Sequence, residues 1–333
     1  MFSQISTTHG MKRALPYIVL FTGVMAAASA AIMIRLAQDL QVPSTTIAAG
    51  RLGIAAIILL PLALIYVYYE LREVQRRDWM LGAISGFVLA MHFLAWISSL
   101  EYTSVASSVA LVATNPLWVA LASVTIFRER LTLAIALGVL LTIGGSALIG
   151  ISDSQSIDGQ NALFGNALAL VGAITASIYF LIGRDMRRRL STLAYIWIVY
   201  TSAALVLVPV ALAVGWNGTA NQTIVTGTTL FGLPFVAYIL LLGLALGPQL
   251  LGHTSFNWSL RYLSATFVAV AILGEPIGAA LLALFVFGEG FAPLQLVGFL
   301  LLLIGIAVAL IGEQARTPTP EDASQYAPAI EQR

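Results

Sequence analysis

Apolar residues run along this chain in long, nearly uninterrupted blocks, and polar residues crowd into the gaps between them. Ten blocks can be marked, at 15–35, 44–67, 79–100, 104–127, 132–151, 162–182, 193–214, 231–258, 264–287 and 293–312. Each approaches the ~20 residues a helix needs to cross a hydrocarbon core. In lipid every backbone polar group must be satisfied within its own segment, so blocks of this length are predicted to be helices. The eighth is irregular. Gly247-Pro248 and Gly252-His253 interrupt it, and a break or a tilt is expected there. The first contains Ala28-Ser29-Ala30, which imitates a signal-peptide cleavage site. Its apolar stretch is longer than the ~7–15 residues of a signal core, so a retained helix is expected.

Composition strengthens this picture. Of 333 residues, 59% are apolar and 9% charged, against roughly 25% charged in a soluble domain. That excludes a water-soluble enzyme, a nucleic-acid binder and a disordered regulator. The expected class is an all-α membrane protein with ten transmembrane helices. There are no cysteines, hence no disulfide, thiolate or iron–sulfur chemistry. No phosphate-binding GxxxxGK[ST] loop, HExxH motif or GxSxG elbow is present. No cofactor, metal or catalytic residue is therefore expected, ATP is not the direct energy source, and the chain is not expected to be an enzyme.

The distribution of charge orients the helices. With the N-terminus in the cytoplasm, fourteen of the sixteen basic residues fall on the cytoplasmic side, among them Lys12, Arg13, Arg76, Arg77, Arg128, Arg130 and Arg187 to Arg189. The exceptions are Arg35, at the outer end of the first block, and Arg51, inside the second. Outer segments carry Asp39, Glu101, Asp153, Asp158 and Glu289. Both termini are thus expected in the cytoplasm, with the chain in the cell (cytoplasmic or inner) membrane.

Sliding the sequence along itself by 160 residues exposes an internal repeat. Tyr102 falls on Tyr262, Ser104 on Ser264, Pro116 on Pro276, Glu129 on Glu289, Gly138 on Gly298 and Gly145 on Gly305. Between 102 and 145, eleven of 44 ungapped positions are identical. Five helices per unit is an odd number, so the second copy is expected to cross the bilayer in the opposite sense. The charges follow that inversion: Arg128-Glu129-Arg130 becomes Gly288-Glu289-Gly290, and Glu101 becomes Arg261. The expected organisation is a cytoplasmic segment 1–14, a first repeat 15–151, a second repeat 162–312 and a disordered tail 313–333. Two inverted halves can exchange conformations around one central site, which is the logic of alternating access.

Two sets of residues carry a family likeness. One is Asn115-Pro116-Leu117, then Arg128-Glu129-Arg130-Leu131-Thr132, Gly138 and Gly144-Gly145. The other is Gly274-Glu275-Pro276, then Gly288-Glu289, Gly298 and Gly305. With this Pro…Glu…Gly pattern the sequence resembles the drug/metabolite transporter superfamily, in its ten-helix form with two EamA-type repeats. The resemblance spans about 15–312. It implies a 5+5 inverted-repeat bundle moving small metabolites, commonly outward, with amino acids, nucleobases, sugars and drugs among the superfamily's substrates. The expected function is a secondary exporter of a small metabolite. The competing reading is an intramembrane enzyme or flippase acting on a lipid or polyprenyl substrate. Expected partners are a small-molecule substrate and membrane lipid, without nucleic acid, in a monomer or homodimer.

Polar residues inside the blocks are the candidate site. Glu275 in the ninth must face protein or water, because a charge at that depth costs about 2.5–3.5 kcal/mol on insertion scales. It is the candidate for proton coupling or for neutralising a cationic substrate group. Pro276, and Pro116 in the matching place, are expected to kink their helices. Arg51 stays charged at accessible pH. It needs a carboxylate, backbone carbonyls or a path to the outer surface; it can hold a substrate carboxylate or pair with Glu275. His92 and His253 are near-equivalent under the repeat and are candidates for substrate binding or proton relay. Trp96 and Asn257 are candidate pocket residues, with Trp118, Trp197, Tyr200, Phe256 and Trp258 nearby in the same helices. Glu129 and Glu289 are expected to cap the N–H groups of the helices that follow them.

Overall fold

A computed structural model describes residues 3–125, 133–156, 161–218, 232–259, 272 and 274–314. Among the described residues all regular structure is helical: α1 (Ser3–Asp39), α2 (Ser44–Tyr66), α3 (Tyr68–Glu73), α4 (Arg76–Ser99), α5 (Val105–Val112), α6 (Asn115–Thr125) and α7 (Leu133–Ser156). The chain continues through α8 (Ala162–Met186), α9 (Thr192–Gly218), α10 (Phe235–Leu244), a π-helical segment (Ala245–Gly252), α11 (His253–Ser259), α12 (Gly274–Phe287) and α13 (Pro293–Gln314). Among the described residues six helices are long and apolar enough to cross a membrane: Ala14–Asp39, Ser44–Tyr66, Arg76–Ser99, Ala162–Gly183, Thr192–Ala213 and Phe235–Phe256. Shorter apolar helical stretches are Val105–Val119, Ala136–Ile149, Gly274–Phe287 and Pro293–Val308.

Local chemistry explains the helix ends. Ser104 caps α5 by accepting from the Ser107 N–H at 3.2 Å, and Asn161 caps α8 by accepting from the Phe164 N–H at 3.2 Å. The fourth block is divided. Helix α5 stops at Val112, the chain turns through Ala113 and Thr114, and α6 begins at Asn115. Pro116 stands in the first turn of α6, where a missing N–H leaves no gap in the hydrogen-bond ladder. Pro116 therefore starts a helix instead of bending one from within, while the approach to Pro276 includes residues outside those described. From Phe235 on the eighth block stays helical, but Pro248 breaks the regular ladder and the chain widens into a π-turn, with the His253 N–H donating to the Pro248 carbonyl.

The core is built from small residues. Ala48, Ala55, Ala90, Ala203 and Ala237 are completely buried, so backbones approach closely. Large apolar side chains face outward instead: Phe285 is 82% exposed, and Tyr69, Phe235 and Leu205 are similar. A water-facing surface does not carry so much unpaired apolar area, and the chain is a multi-pass membrane protein.

Helix α7 packs along α13, α2 against α9, and α4 against α8 and α9. Helix α1 packs against α12, the π-segment and α11, while α5 and α6 lie on α8. Between α7 and α13 a Cβ on Gly145 would stand 2.6 Å from the Gly298 carbonyl oxygen, and one on Gly305 2.8 Å from that of Gly138. Position increases along one helix as it decreases along the other, so the two helices run antiparallel.

Polar networks tie both ends of the bundle. At one end Arg35 donates to the Thr103 carbonyl at 2.7 Å and pairs with Glu289 at 3.5 Å. Glu289 also accepts from the Val105 N–H at 3.0 Å. It thus caps α5, a helix from the other half of the chain, and not the helix that follows it. Glu129 lies outside the described residues. At the opposite end Arg189 bridges Asp78 at 2.9 Å and Asp185 at 2.8 Å.

Candidate functional site

Near the middle of α2 the apolar ladder is interrupted by Arg51, whose side chain is 1% exposed. Its head thus lies inside the bundle and not at the outer surface. Its Nε donates to the Gln249 Oε1 at 2.8 Å. The π-segment carries Gln249, itself 1% exposed, and a hydrogen bond links that amide to the Tyr200 hydroxyl on α9. The guanidinium lies over the Phe93 ring, 4.3 Å from its centroid, and 5.7 Å from the Trp96 ring. Both rings are on one face of α4, three residues apart.

The ring wall extends to His92. It stacks on Trp96 with centroids 5.9 Å apart and meets Phe93 edge-on at 4.7 Å. The His92 Nδ1 is hydrogen-bonded to the Gly172 carbonyl on α8 at 2.8 Å, so this imidazole is anchored across the two halves of the chain. His253 opens α11, half-buried, with its ring 6.0 Å from Phe256 and within electrostatic range of Arg51 and His92. Glu275 is half-buried in the first turn of α12 and interacts electrostatically with Arg51. The two do not come within ion-pair distance: among the described residues no carboxylate pairs directly with Arg51.

Arg51 lies against Phe93 and Trp96, His92 stacks on Trp96, and His253 and Glu275 stand within electrostatic range of Arg51 without touching it; together they make up the candidate centre. The side chains of Asn257 and Pro116 lie outside the described residues. Trp118 does not join the group. Its indole donates to Thr114 at 3.1 Å, and it lines a separate apolar groove of about 560 Å³ with Leu111, Thr142, Ile143 and Leu163. Trp197 packs with Ala63 and Val67 toward the other end of α2.

Gln249 and Phe93 went unmarked in the sequence, although Gln249 had a signal. It is one of two amides in an apolar block, and it comes directly after Gly247-Pro248, where the ladder has to change pitch.

The arrangement presents flat rings and a fixed positive charge side by side, the chemistry that recognises an anionic organic solute. Among the described residues no three His, Asp or Glu side chains are grouped closely enough to hold a metal ion. The model of the EamA-like transporter family matches residues 14–151 and again 163–311, and the chain belongs to that family. It is 23% identical over 322 residues to the "Uncharacterized transporter YetK" of Bacillus subtilis (strain 168), covering 90% of this chain and 93% of that protein. An "Uncharacterized transporter" of Archaeoglobus fulgidus is 23% identical over 239 residues, covering 72% of this chain and 79% of that one. The fold is similar to that of a solved "Crystal structure of protein", with a TM-score of 0.57, 17% identity and coverage of 91% and 99%.

Proposed function

We propose that this chain is a secondary transporter that exports a small metabolite by alternating access around the Arg51 centre. Its ten helices form two inverted five-helix halves, and both termini face the cytoplasm. The observation that carries this reading is how helix packing behaves under the 160-residue shift. The α7–α13 and α2–α9 pairs map onto themselves. The α4–α8 pair exchanges with α1 and the π-segment, and the α6–α8 pair with α12–α1. The Gly145–Gly298 contact likewise exchanges with Gly305–Gly138. Contacts interchangeable in this way support a bundle that can open to either face in turn.

The centre draws on both halves, with α2 and α4 from the first and α9, the π-segment and α12 from the second. A relative movement of the halves therefore changes access to Arg51 without dismantling either half. Glu275, coupled electrostatically to Arg51, is the group through which a proton gradient drives the cycle.

Purified protein in liposomes tests both levels. Solute flux should respond to an imposed pH gradient, and Glu275→Gln should keep downhill flux while losing that response. An unaltered response would move coupling away from Glu275. Lipid conversion on overexpression, in place of redistribution of an unchanged solute, would contradict transport itself.

A further inference from the structure

We propose that the cargo is a small monocarboxylate with an apolar or aromatic body, its anionic head held by Arg51 and its body against Phe93, Trp96 and His92. This rests on the transport reading and names the substrate class of that same centre. The argument starts from a cation that its surroundings do not complete. A guanidinium offers five N–H donors. Here Nε is bonded to a neutral amide, Nη1 has no hydrogen-bond partner among the described residues, and no carboxylate is paired with it. Two ring faces supply cation–π attraction, which solvates the flat faces of the guanidinium but not the N–H groups at its edge.

Trp96 repeats the pattern beside it. It is 5% exposed, and its indole Nε1 likewise has no partner among the described residues. A buried donor without an acceptor is unfavourable, and two on neighbouring side chains point to a group that accepts and does not donate. An ionised carboxylate is such a group, and its planar pair of oxygens matches the guanidinium edge. An amide carries donors of its own, and an ammonium carries the wrong charge. The walls are aromatic, so the part of the solute behind the carboxylate is apolar or flat.

The test uses purified full-length protein and pairs of probes that share shape but differ in head group. Thermal unfolding in detergent is followed with phenylacetate, phenylacetamide and phenethylamine, and with indole-3-acetate, indole-3-acetamide and tryptamine. The carboxylates should raise the unfolding temperature saturably, with half-saturation about 10- to 100-fold tighter than their amides and amines. Arg51→Gln should abolish that preference, and Arg51→Lys should retain part of it. If the buried Arg51→Gln variant does not fold, the probe series on the wild-type chain decides by itself. Amides or amines that match their carboxylates overturn the assignment, as does a panel in which no carboxylate stabilises. Flux of a cationic or neutral solute that persists in Arg51→Lys overturns it too, while leaving alternating access standing. Absence of any solute flux would instead fall on the transport reading.

Discussion

Gly145 and Gly298 meet backbone to backbone: a side chain on the first would begin 2.6 Å from the carbonyl oxygen of the second. Neither that oxygen nor the neighbouring Leu302 N, at 2.7 Å, can swing aside as a flexible side chain would. Gly145→Ala should therefore cost about 1–3 kcal/mol through overpacking. Gly305→Ala should cost a similar amount, because its Cβ would meet the Thr142 N at 2.7 Å in the exchanged copy of the contact. Gly144→Ala, with nothing within 4 Å, should be nearly neutral. Thermal unfolding of the three variants in detergent checks the series. Equal effects at 144 and 145 would contradict the packing.

Glu289 acts in two ways, as partner to Arg35 and as acceptor for the Val105 N–H. Glu289→Gln keeps an acceptor and removes the charge, and should cost about 0.5–1 kcal/mol. Glu289→Ala removes both and should cost about 1.5–2.5 kcal/mol. A double-mutant cycle with Arg35→Gln isolates the charge pair. A coupling energy of zero would reduce the pair to proximity.

At the opposite end, the hydrogen bond from Arg189 holds the Asp185 carboxyl below its usual range. The folded protein thus binds this proton less tightly than the unfolded chain does. The resulting stability is fully present above the ordinary aspartate pKa of about 3.9 and is lost as pH falls through the lowered value. The gap in unfolding temperature between wild type and Asp185→Asn should be constant above about pH 5 and should close on further acidification. It should also be small, since the Asp185 side chain is 48% exposed. Asp78→Asn should cost more than Asp185→Asn, because Asp78 is buried beneath the same arginine.

Gln249 offers a way to fill the Arg51 site from within. Gln249→Glu is nearly isosteric and places a carboxylate 2.8 Å from Nε. If Arg51 lacks an anion, the variant should be more stable by about 1–2 kcal/mol. It should also lose its thermal response to carboxylate probes. A destabilised variant that still responds would show that the guanidinium is already satisfied.

Much of the bundle was legible in the chain. Long apolar blocks can only be helices in lipid, and Pro116, Pro276, Glu129, Glu289 and the paired glycines announced the duplication. Less legible was what happens inside a block. Val105–Val112 and Asn115–Thr125 form one continuous apolar run, and only the turn at Ala113-Thr114 separates them. Gly247-Pro248 signalled irregularity, but the result is a widened helix and not a break. The individual members of the site were readable because a charge or an imidazole is costly at that depth. Their partners were not. That Arg51 would take Gln249, 198 positions away, and that Glu289 would cap α5, follow from how the halves interlock, which no local pattern encodes.

The inverted arrangement of the halves is the claim on which the rest stands, and the absence of cysteines makes it directly measurable. Single cysteines are introduced as Arg130→Cys and Gly290→Cys, and intact cells are treated with a membrane-impermeant maleimide. Labelling of the Gly290→Cys variant from outside, with the Arg130→Cys variant labelled only after the membrane is opened, is the predicted result. Labelling of both from the same side would contradict it.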